Sequence, residues 1–196
     1  MKNLKTTFLA LLAVSVLFVA CKKDDDNDPP KNQMTIAGVE YDLNQGVIEN
    51  YGTWSSVEAY NFDLTVLTSG FTIHDSDGEI DSISGIGSGI SFELFSFDST
   101  EIAKGEYVYV ADGNGQAGTF TYAGAAVNFN AETEEGTEYE ITEGKVTVSQ
   151  NGGSYELSFD CKTDGDVSVT GFYKGNLKHY DYTGDVKSGK IKNRIW

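Results

Sequence analysis

The chain has 196 residues, the size of one domain with short tails, and carries 14 Lys and Arg against 30 Asp and Glu, a formal net charge of −16. Such a surplus of acids disfavours nucleic acid as a partner, because phosphate is recognised by basic surfaces. Twenty-two glycines, 22 Tyr plus Phe and two prolines favour short strands joined by tight turns over helices, and a charged fraction of 22% is ordinary for a folded domain.

Residues 1–20 read as a signal peptide. Lys2 and Lys5 precede an apolar run from Phe8 to Ala20, interrupted only by Ser15. Those 13 residues fall short of the roughly 20 that a spanning helix needs. Ordinary signal peptidase requires small residues at the first and third positions before its cut; Ala20 fits and Phe18 does not. The segment Leu17-Phe18-Val19-Ala20-Cys21 instead resembles a bacterial lipobox, with Phe18 where Leu is usual. The resemblance implies that the Cys21 thiol is alkylated with diacylglycerol, that cleavage precedes Cys21, and that the new amino terminus is acylated. More than one acyl chain is what stable anchoring to a membrane requires.

Residues 21–33 lack periodicity and hold dense charge and both prolines, so they read as a disordered tether. Within it, Cys21 followed by Lys22, Lys23, Asp24, Asp25 and Asp26 resembles the export signal of surface-exposed lipoproteins of the Bacteroidota. The resemblance implies an outer-membrane location facing the outside of the cell.

From Met34 to Tyr182 the apolar residues alternate with a period of two, and no helix-length window shows a period of 3.6. In Tyr60–Val66, Tyr60, Phe62, Leu64 and Val66 fall on one face and Asn61, Asp63 and Thr65 on the other. Tyr155–Cys161 repeats the pattern, with Cys161 on the apolar face. Asp77-Gly78, Asp112-Gly113, Asn151-Gly152 and Asp164-Gly165 supply turns. They predict a meander in which Lys145–Gln150 pairs with Ser154–Lys162, and that strand with Val167–Tyr173. Further strands are expected at 35–43, 47–51, 71–74, 79–84, 90–97, 105–110, 118–123 and 126–130. The predicted class is all-β, an antiparallel β-sandwich or closed β-barrel of about ten strands. The rhythm of "TIAGVEYDLNQG" and "GKVTVSQNGGSYELSFD" also resembles small all-β lipoproteins of the Bacteroidota, some of them lipocalin-like. It carries no functional residue with it.

Catalytic signals are weak. Two histidines, His74 and His179, and no Gly-x-Ser-x-Gly elbow leave nothing for a nucleophilic triad or zinc site, so no catalytic residue and no cofactor is expected. Gly113 to Gly118 matches Gly-x-Gly-x-x-Gly, but Thr119–Tyr122 continues as a strand where a dinucleotide site needs a helix. Asp75, Asp77 and Asp81 alternate as calcium ligands can, yet position 12 of an EF-hand count is Ile86; a turn with solvated acids is the favoured reading and no metal is expected. The run Glu132–Glu138 reads as an exposed loop. Trp54, in the loop-like Tyr51–Ser56, is the candidate for an exposed ligand contact. Residues 24–173 hold 28 acids against 4 bases, whereas Lys174–Trp196 hold 6 bases against 2 acids. Residues 183–196 therefore read as a basic tail, either an edge strand blunted by lysines or an arm for an anionic partner. The expected function is a lipid-anchored, non-catalytic module on the cell surface, binding a glycan or an outer-membrane protein. The alternative is a lipocalin-like carrier, which would need an apolar cavity.

Overall fold

The computed structural model describes residues 29–53, 58–111 and 115–186. The expected signal peptide, Cys21, Lys22, Lys23, Asp24, Asp25, Asp26, Trp54, the expected turn at Asp112-Gly113 and residues 187–196 lie outside the described residues.

The domain is all-β. Twelve strands follow in chain order: β1 (Gln33–Ile36), β2 (Val39–Asp42), β3 (Gln45–Thr53), β4 (Tyr60–Leu67), β5 (Phe71–Ser76), β6 (Glu79–Ser96), β7 (Gly105–Tyr109), β8 (Thr119–Asn130), β9 (Glu135–Gln150), β10 (Tyr155–Thr163), β11 (Ser168–Gly175) and β12 (Lys178–Asp181). Eleven of them form one curled, half-barrel sheet in the order β12-β3-β4-β6-β8-β7-β9-β10-β11-β1-β2, and β5 pairs with the first half of β6. The predicted meander β9-β10-β11 is present, and Asp77 and Gly78, at φ +52° and +85°, form the expected two-residue turn between β5 and β6.

Several boundaries differ from the sequence reading. Residues 35–43 form a hairpin, β1-β2, because Ala37 and Gly38 take positive φ and turn the chain. The segments 79–84 and 90–97 are one strand of 18 residues, and 118–123 and 126–130 are also one strand. Glu135–Glu138 are not loop but the start of β9, paired with β8. Two pairs are parallel, β12 with β3 and the two-residue contact of β7 with β8. The last strand among the described residues is β12, and Thr183–Val186 form a single helical turn; the rest of the expected tail or edge strand, 187–196, lies outside the described residues.

Strand β9 changes partners along its length. Its first half pairs with β8 and its second with β7 and β10, so β7 wedges in where β8 and β9 diverge. Gly144, at φ +121°, lies at this divergence, and a Cβ there would fall 2.4 Å from the Asp160 carbonyl oxygen.

The concave side of the sheet is filled by the main core. Phe62, Phe92, Leu94, Phe120, Val146 and Leu157 are fully buried within it. Phe92 of β6 meets Phe159 of β10 at 5.5 Å between centroids, although three strands separate them in the sheet order, so the curl brings its two arms into contact. Phe92 also meets Phe120 edge-on at 5.7 Å.

Candidate binding face

Filling the concave side leaves the opposite, outer face of the sheet to meet other molecules, and its two ends differ. Around β3, β4 and β6 the register places Glu49, Asp63 and Glu93 side by side on adjacent strands, extended by Tyr180 of β12 and Tyr122 of β8. Glu49, Asp63 and Glu93 are all buried. Asn61 Nδ2 donates to Glu93 Oε1 at 3.3 Å and Thr121 Oγ1 to Glu93 Oε2 at 2.7 Å, while Tyr51 Oη donates to Glu49 Oε1 at 3.3 Å. One row further along, the Thr65 and Ser91 hydroxyls share a hydrogen bond of 2.9 Å. Beside this row Ile73 and Ile80, from the β5-β6 hairpin, pack on Val47, Tyr180 and Tyr182, with Tyr182 Oη accepting from the Ile80 amide. Most polar residues here are buried, and Glu93, Asn61, Thr121, Glu49, Tyr51, Thr65 and Ser91 are hydrogen-bonded among themselves, which gives them a structural role.

At the other end, β10, β11, β1 and β2 present two parallel rows to solvent. The register sets Asp160, Thr170, Thr35 and Glu40 in one row, and Ser158, Phe172, Gln33 and Asp42 in the next. Strands β10, β11 and β1 send alternate residues inward: Phe159 and Cys161, Val169 and Tyr173, Met34 and Ile36 belong to the core. The eight outer side chains are exposed or half-buried, and none of their polar groups has a hydrogen-bond partner or ion pair among the described residues. The bordering charges are engaged elsewhere. Lys145, opposite Asp160, reaches Glu106 Oε2 at 2.8 Å, and Lys174, in the row beyond Phe172, reaches Glu156 Oε2 at 2.7 Å. That contact and Ser149 hold the Glu156 carboxyl below its ordinary value. Six of the eight, Gln33, Thr35, Glu40, Asp160, Thr170 and Phe172, line an open groove of about 620 Å³ together with Pro30 and Lys31.

Asn32 secures the first described residues beside this groove. Its amide donates to the Lys174 carbonyl at 2.9 Å and accepts from the Lys174 amide at 2.7 Å. Whatever leads up to residue 29 therefore joins the domain next to the exposed rows.

The calcium candidates are separated by other bonds. Asp75 is paired with Lys178 at 2.6 Å, Asp81 accepts from the Ser76 hydroxyl at 2.7 Å, and Asp77 occupies the turn. Among the described residues no three His, Cys, Asp or Glu side chains converge to hold a metal ion. His74 bonds to the Ser84 hydroxyl at 2.7 Å, and His179 stacks near Phe62. Cys161 is buried, and desolvation pushes its thiol up to about 12, which keeps it an unreactive core residue at neutral pH. Thr119 begins a strand, so the glycine run before it lacks the helix a dinucleotide needs.

Sequence reasoning singled out Trp54 and none of the eight residues of the exposed rows. One signal was available at Phe172-Tyr173: neighbours in a strand point to opposite faces, so one of two adjacent aromatics there had to face outward. Comparison with protein-family models, with curated proteins and with solved structures returned no match.

Proposed function

We propose that this is a lipid-anchored outer-membrane lipoprotein whose domain, displayed on the cell surface, works as a non-catalytic binding module for a glycan or an outer-membrane partner. The observation that carries the reading is the filled concave side. A carrier encloses its ligand in an apolar cavity, whereas here Phe92, Phe120 and Phe159 occupy the middle of the curl and polar groups with no partner among the described residues lie outside. The anchor and display belong to Cys21 and to Asp24, Asp25 and Asp26 on the strength of the sequence motifs.

Two measurements test it. Fatty-acid labelling marks the wild type and spares Cys21→Ser, and protease added to intact cells digests the wild type but not a variant with Asp24, Asp25 and Asp26 changed to Ala. Native mass spectrometry of the purified domain shows the bare chain mass; a stoichiometric apolar ligand would replace the module by the lipocalin-like carrier.

A further inference from the structure

We propose that the exposed rows of β10, β11, β1 and β2 bind a neutral oligosaccharide, laid across the strands with one sugar ring on Phe172. The inference rests on the binding-module reading and assigns it a ligand class and a site.

The chemistry of the rows selects the ligand. A pyranose offers an apolar C–H face to an aromatic ring and a rim of hydroxyls to polar neighbours. Phe172 supplies the ring, and its partners in the same row are Ser158 on one side and Gln33 on the other, a hydroxyl and an amide placed to meet that rim. The adjoining row adds Thr170 and Thr35 between two carboxylates, Asp160 and Glu40. A carboxylate accepts from sugar hydroxyls through two oxygens, and such charge-assisted bonds are about twice as strong as neutral ones. These groups have no partner among the described residues, so a ligand need not displace bonds to those residues to reach them.

Dimensions fit a chain rather than a single sugar. Four strands at a spacing of about 4.8 Å make rows about 14 Å long, and alternate residues along a strand set the rows about 7 Å apart. Several rings can lie along such a surface. Charge then chooses among saccharides. Asp160 and Glu40 line the groove against Lys31, and Asp42 stands beside Gln33 in the adjoining row, so a sulfated, phosphorylated or uronic chain meets net repulsion. An apolar ligand would strip water from hydroxyls and carboxylates without replacing their bonds. A basic peptide would also answer the carboxylates and is the competing occupant in the test below.

The test uses the full chain with Cys21→Ser, which keeps it free of lipid. It is titrated by NMR with neutral hexasaccharides of β-1,4-glucan, β-1,4-mannan, β-1,4-xylan and α-1,4-glucan, with a hyaluronan hexasaccharide, and with a lysine-rich decapeptide. At least one neutral hexasaccharide is expected to bind and to shift the resonances of Gln33, Thr170 and Phe172. Phe172→Ala is expected to weaken that binding roughly tenfold, with the wild-type fold retained in its spectrum, and Gln33→Ala to weaken it less. Absence of binding by every neutral chain overturns the proposal, as does preference for hyaluronan or for the peptide. Neutral binding that both variants leave unchanged overturns this site while sparing the module reading. A co-purifying apolar ligand would sink the module reading itself.

Discussion

Strands β4 and β10 carry the same alternating pattern and meet opposite fates. In β10 the residues Leu157, Phe159 and Cys161 enter the core and Ser158 and Asp160 face solvent, as a half-buried strand should. In β4 the residues Phe62, Leu64 and Val66 enter the same core, yet Asn61, Asp63 and Thr65 are buried as well, at 3%, 4% and 0% exposure. Alternation therefore records which side chains share a face, and leaves open whether the second face is covered. That difference separates the part of the outer face that holds the fold together from the part free to meet a ligand.

Truncating one aromatic on each side of the sheet gives the largest contrast. Phe92→Ala opens a void between Phe120 and Phe159 and should cost about 4 kcal/mol, the usual loss for a buried Phe. Phe172→Ala, on the half-buried outer face, should cost about 1 kcal/mol or less. Urea unfolding of the two variants measures both; equal losses would show that the outer face at β11 contributes as much to stability as the core does.

The next contrast compares two acids on the outer face. Glu93→Ala deprives buried Asn61 and the neighbouring Thr121 of their acceptor and should cost about 2–3 kcal/mol. Asp160→Ala removes an exposed carboxylate that has no partner among the described residues and should stay within about 0.5 kcal/mol of the wild type. A loss at Asp160 as large as that at Glu93 would break the division between the two ends of the sheet.

These contrasts show where the sequence was legible. Local signals read well: the period of two, the Asp77-Gly78 turn and the meander from Lys145 to Tyr173 involve neighbours in the chain. Long-range contacts read poorly. The glycines from Gly85 to Gly89 look like a break between two strands, yet β6 runs straight through them because another part of the chain approaches closely there. A Cβ on Gly87 would stand 2.6 Å from the Phe71 ring, and one on Gly85, at φ +97°, 2.3 Å from the Gly70 carbonyl oxygen. The acids of Glu135–Glu138 suggest a solvated loop, but exposed strand positions accommodate charge equally well once β8 supplies the pairing. The rows around Phe172 were hidden for the same reason: β1 and β11 meet across more than 130 positions, and no local pattern announces that Gln33 will stand beside Phe172.

The smallest contrast lies within a single strand, between Asp160, facing out, and Cys161, facing in. Burial raises the Cys161 thiol from its ordinary 9.0 to about 12, while in the unfolded chain it ionises near the ordinary value. Below pH 9 the thiol is neutral in both states and contributes no pH dependence. Above it the unfolded chain loses the proton while the folded chain keeps it, so stability falls as pH rises, and the fall ends near pH 12. At pH 10 this one group should cost about 1 kcal/mol relative to pH 8. Cys161→Ala, less stable throughout for want of its sulfur, should show a correspondingly flatter decline between those two pH values. Urea midpoints at pH 8 and pH 10 provide the comparison, and the thiol of the folded wild type should resist iodoacetamide at pH 8 until denaturant is added. Rapid alkylation of the native protein would mean that the inward face of β10 is open to solvent, which would remove the distinction between its two faces.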